Sequence, residues 1–317
     1  MNKKTTVNLI LLFLVIVCVI FIAVALILPI LFDFVWNDAL RTFLPNAEYF
    51  FRFITEFGGT LIYFSLIFII YWGINKSLAK KLLFVYMASN FVNYYGKSII
   101  NRTRPPESNW ILIGASHLST PSGHAQSSSV VWGYLALKSR NIFLWIISLV
   151  IIILIGLSRM YLGVHWFGDI LTGWLFGMIV LSFALIFEEP IHNFVSTHNN
   201  TYIYLGLALL GLIVMILSET FLNIEYNIGG PAGQLIGLGI GLAIEEKYIN
   251  FDAKANYATT WKVIIRILVG IILFAIVYLV IYLIIDTDVY WMNALLQIIS
   301  LLVAIVIWPS IFKKLNW

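Results

Sequence analysis

Three short stretches of this chain carry ionisable residues within an otherwise apolar region. In chain order they are Lys97-x6-Arg104-Pro105, Pro121-Ser122-Gly123-His124 and Ser158-Arg159-x5-His165-x3-Asp169. Together they supply three cations, two histidines, one carboxylate and a Ser-Gly turn. Ionisable groups inside or at the ends of membrane helices are costly, so by default they indicate function. The three stretches therefore predict a site that handles phosphate.

The first stretch supplies cations for phosphate binding. Lys97 ends a predicted span, and Pro105 with Pro106 prevents further helix and holds the loop after Arg104 extended. An ammonium and a guanidinium that converge from one segment suit the charge and the several acceptor oxygens of a phosphate. The alternative is a helix-end cation that snorkels to the membrane interface.

The second stretch resembles the start of a helix. Pro121 and Ser122 favour a helix N-terminus, where free backbone N–H groups bind anions. We expect the Ser122 hydroxyl and the Gly123 N–H to contact phosphate oxygens, and His124 to face the leaving oxygen. Taken alone, the turn also fits an ordinary helix cap that contains a histidine.

The third stretch pairs a histidine with a carboxylate. Because His165 and Asp169 are four residues apart, they share one face of a helix. A carboxylate bonded to one ring nitrogen fixes the tautomer and leaves the other nitrogen free to attack. Arg159 is predicted to lie nearby. A buried His–Asp pair with a purely structural role is the alternative.

The composition defines the class of protein that positions these residues. Of 317 residues, 61% are hydrophobic and 11% are charged, and the mean hydropathy is +0.96. A soluble domain of this size could not bury so much apolar surface, so we predict a polytopic membrane protein. The single cysteine, Cys18, excludes a disulfide framework and a cysteine-based metal site.

Apolar runs predict an all-α membrane bundle of about ten spans. Residues 1–187 are expected to form a six-helix catalytic core, and residues 188–317 a four-helix C-terminal extension. Residues 34–57 mix aromatic and charged residues, which indicates amphipathic helices in the interface; a packed connector is the alternative. The ten predicted spans are 7–32, 58–75, 82–100, 122–138, 142–162, 165–187, 201–218, 229–245, 262–285 and 289–311.

The distribution of cations predicts the orientation. With both termini in the cytoplasm, all but six of the nineteen Lys and Arg residues fall inside, as the positive-inside rule requires. The six outside are Arg41, Arg52, Lys97, Arg102, Arg104 and Arg159. All three motif stretches then lie on the non-cytoplasmic side. We expect an integral protein of the cell membrane, plasma or inner, with its active site facing outward.

The ordered set K-x6-RP, PSGH and SR-x5-H-x3-D resembles the signature of the type 2 phosphatidic acid phosphatase (PAP2) superfamily. That family includes membrane lipid phosphatases, isoprenyl pyrophosphate phosphatases, glucose-6-phosphatase and soluble vanadium haloperoxidases. The resemblance covers roughly residues 55–187. Phe57-Gly58-Gly59 and Tyr71-Trp72 further resemble the branch near the sphingosine-phosphate phosphatases.

The resemblance implies a role for each site residue. His165 would be the nucleophile that becomes a phosphohistidine, Asp169 would orient it, and His124 would protonate the leaving group. The residues implied to hold the phosphoryl oxygens are Lys97, Arg104, Ser122, Gly123 and Arg159. The expected activity is metal-independent hydrolysis of a lipid phosphate or polyprenyl pyrophosphate, with no cofactor.

Two other functions fit parts of the pattern. A lipid phosphotransferase would share the phosphohistidine and differ only in the second acceptor. A transporter or lipid-binding protein would suit the number of spans but leaves the His–Asp–cation set unexplained. The expected partners are the bilayer and a lipid phosphate rather than a nucleic acid, and the oligomeric state stays open.

Overall fold

The secondary structure of the described residues is almost entirely helical. The computed structural model describes residues 3–112, 118–221, 228–253 and 260–317. His117, in the predicted outer loop, lies outside the described residues. In the described part, β pairing is limited to an isolated bridge between Thr103 and Leu118. The α-helices are α1 (Lys3–Ile27), α2 (Val35–Phe43), α3 (Glu48–Glu56), α4 (Thr60–Gly73), α5 (Lys76–Ile100), α6 (Gly123–Ser139), α7 (Ile142–Tyr161), α8 (Phe167–Thr197), α9 (Asn200–Phe221), α10 (Gly229–Ile244), α11 (Thr260–Ile284), α12 (Tyr290–Leu302) and α13 (Trp308–Lys314).

Six helical segments of the described chain are long and apolar enough to cross a membrane. A seventh is possible if α3 and α4, which meet at a 49° bend, form one broken span. The predicted number of ten spans is therefore not confirmed. The six segments are Lys4–Ile27, Ile142–Tyr161, Phe167–Thr197, Asn200–Ser218, Thr260–Ile284 and Tyr290–Lys314.

The other four predicted spans are helices that are too short or too polar to qualify. α4, α6 and α10 have 14, 17 and 16 residues. A helix needs about 20 residues to cross the hydrocarbon core, so these three are too short. α5 has 25 residues, but Lys76, Lys80, Lys81 and Lys97 interrupt its apolar surface. The number of complete spans that the apolar runs predict therefore stays a prediction.

The chain divides into two compact units. The first comprises Met1–Tyr63 and Ala88–Glu189, and the second comprises Phe64–Met87 and Pro190–Trp317. Phe64–Met87 lies in the predicted core by sequence but groups with the C-terminal helices. Aromatic packing within the second unit explains this, because the rings of Phe64 and Phe68 contact Phe274 at centroid distances of 6.2 and 5.1 Å.

In the first unit, α2 and α3 pack against α7. Each is amphipathic, and the buried face of α3 carries Phe51 and Thr55. Phe51 packs on Tyr161 at a ring-centroid distance of 4.6 Å and joins a core cluster with Leu162 and Val164. This cluster fixes the connection between α7 and α8, which contains His165.

In the second unit, glycines let α10 pack closely against its neighbours. A Cβ on Gly233 would lie 2.4 Å from the Ala294 carbonyl oxygen of α12. A Cβ on Gly239 would lie 2.4 Å from the Tyr204 carbonyl oxygen of α9. The glycine-rich sequence of α10 thus serves helix packing, as small residues commonly do in membrane bundles.

Candidate active site

Asp169 lies in the first turn of α8 and is fully buried. One of its carboxylate oxygens accepts hydrogen bonds from the Ser119 hydroxyl, the Trp166 backbone N–H (2.8 Å) and His165 Nδ1 (3.1 Å). The Thr120 hydroxyl donates to the other oxygen. These four donors compensate for the loss of water around a buried carboxylate and fix its orientation.

His165 is held between Asp169 and a cation, with only 1% of its surface exposed. Arg104 Nη1 lies 2.9 Å from Nε2, and a guanidinium can only donate, so Nε2 must be the acceptor. In the neutral ring the proton is then on Nδ1, where it bonds to Asp169. The lone pair of Nε2 therefore points toward the positively charged part of the site.

The environment of His165 favours the neutral imidazole. Burial lowers the pKa of His165 well below its ordinary value, and the charges of Arg104, Lys97, Arg159 and His124 lower it further. A neutral ring with an unprotonated Nε2 is the form that can act as a nucleophile. The site is thus built to keep this nitrogen unprotonated at neutral pH.

The three predicted cations lie in the same region as His165. Lys97 is buried and donates to the Leu118 carbonyl (2.6 Å), and Arg104 also donates to the Val164 carbonyl. Arg159 is buried and donates to Thr55 Oγ1 at 2.7 Å. Its Nε is buried and has no hydrogen-bond partner among the described residues. A bound anion would satisfy that donor.

Ser122 and Gly123 form the N-terminus of α6. Ser122 is the N-cap residue and is fully buried, yet its side chain makes no capping bond. Its Oγ has no partner in the part of the chain that the structure describes, whereas its backbone N–H donates to the Asp169 carbonyl at 2.9 Å. The hydroxyl and the first N–H groups of α6 are therefore available to an anion, and a helix N-terminus favours one.

His124 follows on α6, with its ring packed against the turn between α3 and α4. A Cβ on Gly58 would lie 2.5 Å from His124 Cδ2 and 2.9 Å from Ile155 Cγ2. Only glycine leaves room for the ring at this position. The charges of Lys97, Arg104 and Arg159 act on both His124 and His165, so the two rings share one positively charged region.

All eight residues predicted to form the site are thus brought together within the first unit. Their catalytic and binding roles stay predictions. The eight residues are Lys97, Arg104, Ser122, Gly123, His124, Arg159, His165 and Asp169. Among the described residues, no group of three or more His, Cys, Asp or Glu side chains could hold a metal ion.

Sequence reasoning missed four buried residues that support the site. Ser119 and Thr120 directly precede the Pro-Ser-Gly-His stretch, and that proximity was the signal available for them. Thr55 accepts the Arg159 bond from α3. Asn37, on α2, donates to the His165 carbonyl from 128 positions away in the sequence, so spacing could not reveal it.

Comparisons with known proteins identify the family of the chain. The family model of the PAP2 superfamily matches residues 78–192, and that of the PAP2 superfamily phosphatase transmembrane extension matches residues 230–317. Phosphatidylglycerophosphatase B of Bacillus subtilis is 31% identical over 156 residues, which are 44% of this chain and 75% of that protein. The chain belongs to the PAP2 superfamily.

The predicted resemblance is confirmed, and so is a membrane extension after the catalytic helices. With its apolar helices, this PAP2 chain is an integral membrane protein.

Two further similarities concern other PAP2 proteins. Sphingosine-1-phosphate phosphatase 1 of Rattus norvegicus is 28% identical over 206 residues, which are 62% of this chain. The aligned region covers 47% of that relative, so the chain spans about half its length. A crystal structure of a transmembrane PAP2-type phosphatidylglycerolphosphate phosphatase from Bacillus subtilis aligns with 60% of this chain and 98% of its own, at 24% identity and a TM-score of 0.43.

Proposed function

We propose that this protein is a metal-independent membrane phosphatase that removes phosphate from a lipid through a phosphohistidine on His165. The geometry of His165 carries the proposal. Its Nδ1 faces Asp169 and its Nε2 faces Arg104, so the nucleophilic nitrogen is aimed at the position where cations would hold a phosphate. Lys97 and Arg159 supply further positive charge.

The first chemical step transfers the phosphoryl group to His165. The Nε2 lone pair forms a bond to phosphorus, the bond from phosphorus to the lipid oxygen breaks, and His124 donates a proton to that oxygen. The Arg104 N–H that now bonds to Nε2 would move to a phosphoryl oxygen. Fixed cations and N–H groups stabilise the charge on the equatorial oxygens, which is the main catalytic contribution in phosphoryl transfer.

The second step releases phosphate. Water attacks the phosphohistidine, His124 accepts its proton, and the N–P bond breaks to restore neutral His165. Asp169 stabilises the positive charge that the ring carries while it is phosphorylated. Its four hydrogen bonds keep it oriented throughout the cycle.

The substrate is a phosphate on a lipid head group. Relatives named for phosphatidylglycerol phosphate and for sphingosine 1-phosphate support a lipid substrate. The distribution of cations supports an outward-facing site, where the head group is in water and the tail stays in the bilayer. Phosphatidic acid, phosphatidylglycerol phosphate, sphingoid phosphates and polyprenyl pyrophosphates are the compounds to compare.

The decisive experiment measures phosphate release by the purified protein on these four lipids, together with trapping of the phosphoenzyme. Wild type should release phosphate and form an acid-labile, base-stable phosphohistidine from a labelled substrate. His165→Ala should abolish both and still bind substrate, because the cations remain. His192→Ala is the matched control, since His192 is exposed at the end of α8 and should leave the rate unchanged.

Each alternative has its own result in this assay. Wild-type rates from His165→Ala would refute the mechanism. Labelled phosphate that passes to a second lipid rather than to water would identify a phosphotransferase. Lipid binding without phosphate release by wild type would favour a transporter or lipid-binding protein. Activity that EDTA removes and Mg²⁺ restores would contradict the metal-free chemistry.

A further inference from the structure

The connection between α7 and α8 carries the nucleophile but is not itself helical. Its backbone carbonyls are held by side chains from other elements. Arg104 donates to the Val164 carbonyl, and Arg41 of α2 donates to the Tyr161 carbonyl at 2.8 Å. The connection also turns through Gly163, whose φ of 77° is the left-handed region that favours glycine. The position of His165 thus depends on contacts made to its backbone.

Asn37 contacts the backbone of the nucleophilic residue itself. Its Nδ2 donates to the Met160 carbonyl at 2.7 Å and to the His165 carbonyl at 3.1 Å. One amide group therefore joins the last turn of α7 to the nucleophilic residue. Asn37 lies on α2, outside the residues 78–192 that the PAP2 model matches.

Burial of this amide is costly unless it serves a purpose. Asn37 is fully buried, and its Oδ1 has no hydrogen-bond partner among the described residues. A buried amide with an unpaired oxygen is less favourable than a leucine of similar volume. α2 contains large apolar residues even at exposed positions, namely Val35, Trp36 and Phe43. A polar residue at its buried position is therefore unexpected. Packing alone therefore does not account for an asparagine here.

We propose that Asn37 is a positioning residue that holds the His165 backbone so that Nε2 stays in line with the phosphorus. This inference rests on the proposed function, because it assumes that His165 is the nucleophile. Asn37 acts through His165 and does not touch the substrate. Displacing a reacting group by about 1 Å can reduce the rate about a hundredfold. Substrate affinity should change little, because Lys97, Arg104 and Arg159 would remain in place.

The test compares three purified full-length variants with wild type. Asn37→Leu removes both N–H donors at nearly constant volume, and Asn37→Ser shortens the side chain so that it no longer reaches both carbonyls. Asp38→Asn is the matched control, since Asp38 is the exposed neighbour on the same helix. For each protein, kcat, KM, the inhibition constant of inorganic phosphate and the rate of phosphohistidine formation are measured on the best lipid substrate.

We expect kcat and the rate of phosphohistidine formation to fall by about tenfold to a hundredfold in Asn37→Leu. KM and phosphate inhibition should stay within about threefold of wild type. Partial unfolding would lower the apparent kcat but not the rate constant of phosphohistidine formation, so a fall in both distinguishes mispositioning from destabilisation. Asn37→Ser tests the same expectation if Asn37→Leu does not fold. Wild-type kcat in a folded Asn37 variant, or a change confined to KM, would overturn the inference while leaving the proposed function intact. Absence of phosphohistidine from wild type would overturn both.

Discussion

Among the individual residues of the site, Asp169 receives four hydrogen bonds and acts as a hydrogen-bond acceptor throughout the reaction. Ser119, Thr120, the Trp166 N–H and His165 all direct protons at its two oxygens. With its lone pairs occupied in this way, the carboxylate is held in one orientation toward the His165 ring. Its role is to fix the ring and to stabilise it when it becomes positive.

His124 is the residue whose role depends most on the substrate. If it donates a proton to the leaving oxygen, His124→Ala should lower the rate on an alkyl phosphate lipid by about two to four orders of magnitude. With p-nitrophenyl phosphate the loss should be much smaller, because nitrophenolate is a stable anion that leaves without a proton. The measurement is single-turnover formation of phosphohistidine with each substrate.

A second variant tests the same role without removing the imidazole. The methyl group of Gly58→Ala would lie 2.5 Å from His124 Cδ2, so the ring must move and the same substrate-dependent loss is expected. Gly206→Ala on α9 is the matched control, since a Cβ there meets nothing within 4 Å. An equal loss on both substrates would show that His124 does not act as the acid.

Residue spacing predicted part of this site well. The four-residue separation of His165 and Asp169 predicted their contact, although His165 lies just before α8 and not on the same helix. Ser122 is at the cap position that was predicted for it. Spacing could not identify Asn37 or Thr55, because each meets its partner only after distant segments have packed together. Hydroxyl and amide side chains that support a site carry little signal in a single sequence.

At the element scale, α2 and α3 combine two faces with different tasks. The inward faces supply Asn37, Arg41 and Thr55 to the site region. The outward faces expose large aromatic side chains, including Phe43, Tyr49, Phe50 and Phe53. The sequence pattern predicted amphipathic helices and left open whether they lie in the interface or act as a packed connector. Packing against α7 supports the connector, and the exposed aromatic face suits an interfacial position.

Ion pairs fasten α5 to the π-helical segment Glu245–Ile249 that follows α10. Lys76 Nζ lies 2.6 Å from Glu245 Oε1, and Lys80 pairs with Glu246, which also accepts from the Tyr204 hydroxyl at 2.7 Å. The Glu245 side chain is fully buried and that of Lys76 is 17% exposed. The sequence alone does not reveal these pairs, since neither spacing nor composition links residues so far apart.

Removing one partner of this pair should destabilise the second unit. Lys76→Met leaves the buried Glu245 carboxylate without its cation, and breaking such a pair costs about 3–5 kcal/mol. The double variant Lys76→Met with Glu245→Leu should recover most of that loss. The free energy of unfolding is measured by denaturant titration in mixed micelles.

Lys4→Met is the matched control. Lys4 and Glu189 are about half exposed, and exposed pairs contribute about 1 kcal/mol or less. An equal loss for Lys4→Met and Lys76→Met would contradict the assignment.

At the scale of the whole molecule, composition predicted a helical membrane protein but not the number of its spans. Helices such as α6 and α10 bury most of their residues against other helices, so they do not need the length or the apolar surface of a lipid-facing span. A run of apolar letters does not distinguish these two environments. The predicted domain boundary between residues 187 and 188 stays a prediction. Phe64–Met87 belongs to the same compact unit as the C-terminal helices.

The orientation of the whole chain can be tested by the reactivity of introduced cysteines. Ser108 lies in the loop between α5 and α6, four residues after Arg104, and Ser196 lies near the end of α8. Both are exposed, so Ser→Cys changes little. The native Cys18 is buried and should not react. If the site faces outward, a membrane-impermeant maleimide added to intact cells should label Ser108→Cys and not Ser196→Cys. Both should react after the cells are opened, because each side chain is accessible once the reagent reaches its side of the membrane. Labelling of Ser196→Cys alone in intact cells would reverse the topology and place the phosphatase chemistry on the cytoplasmic side.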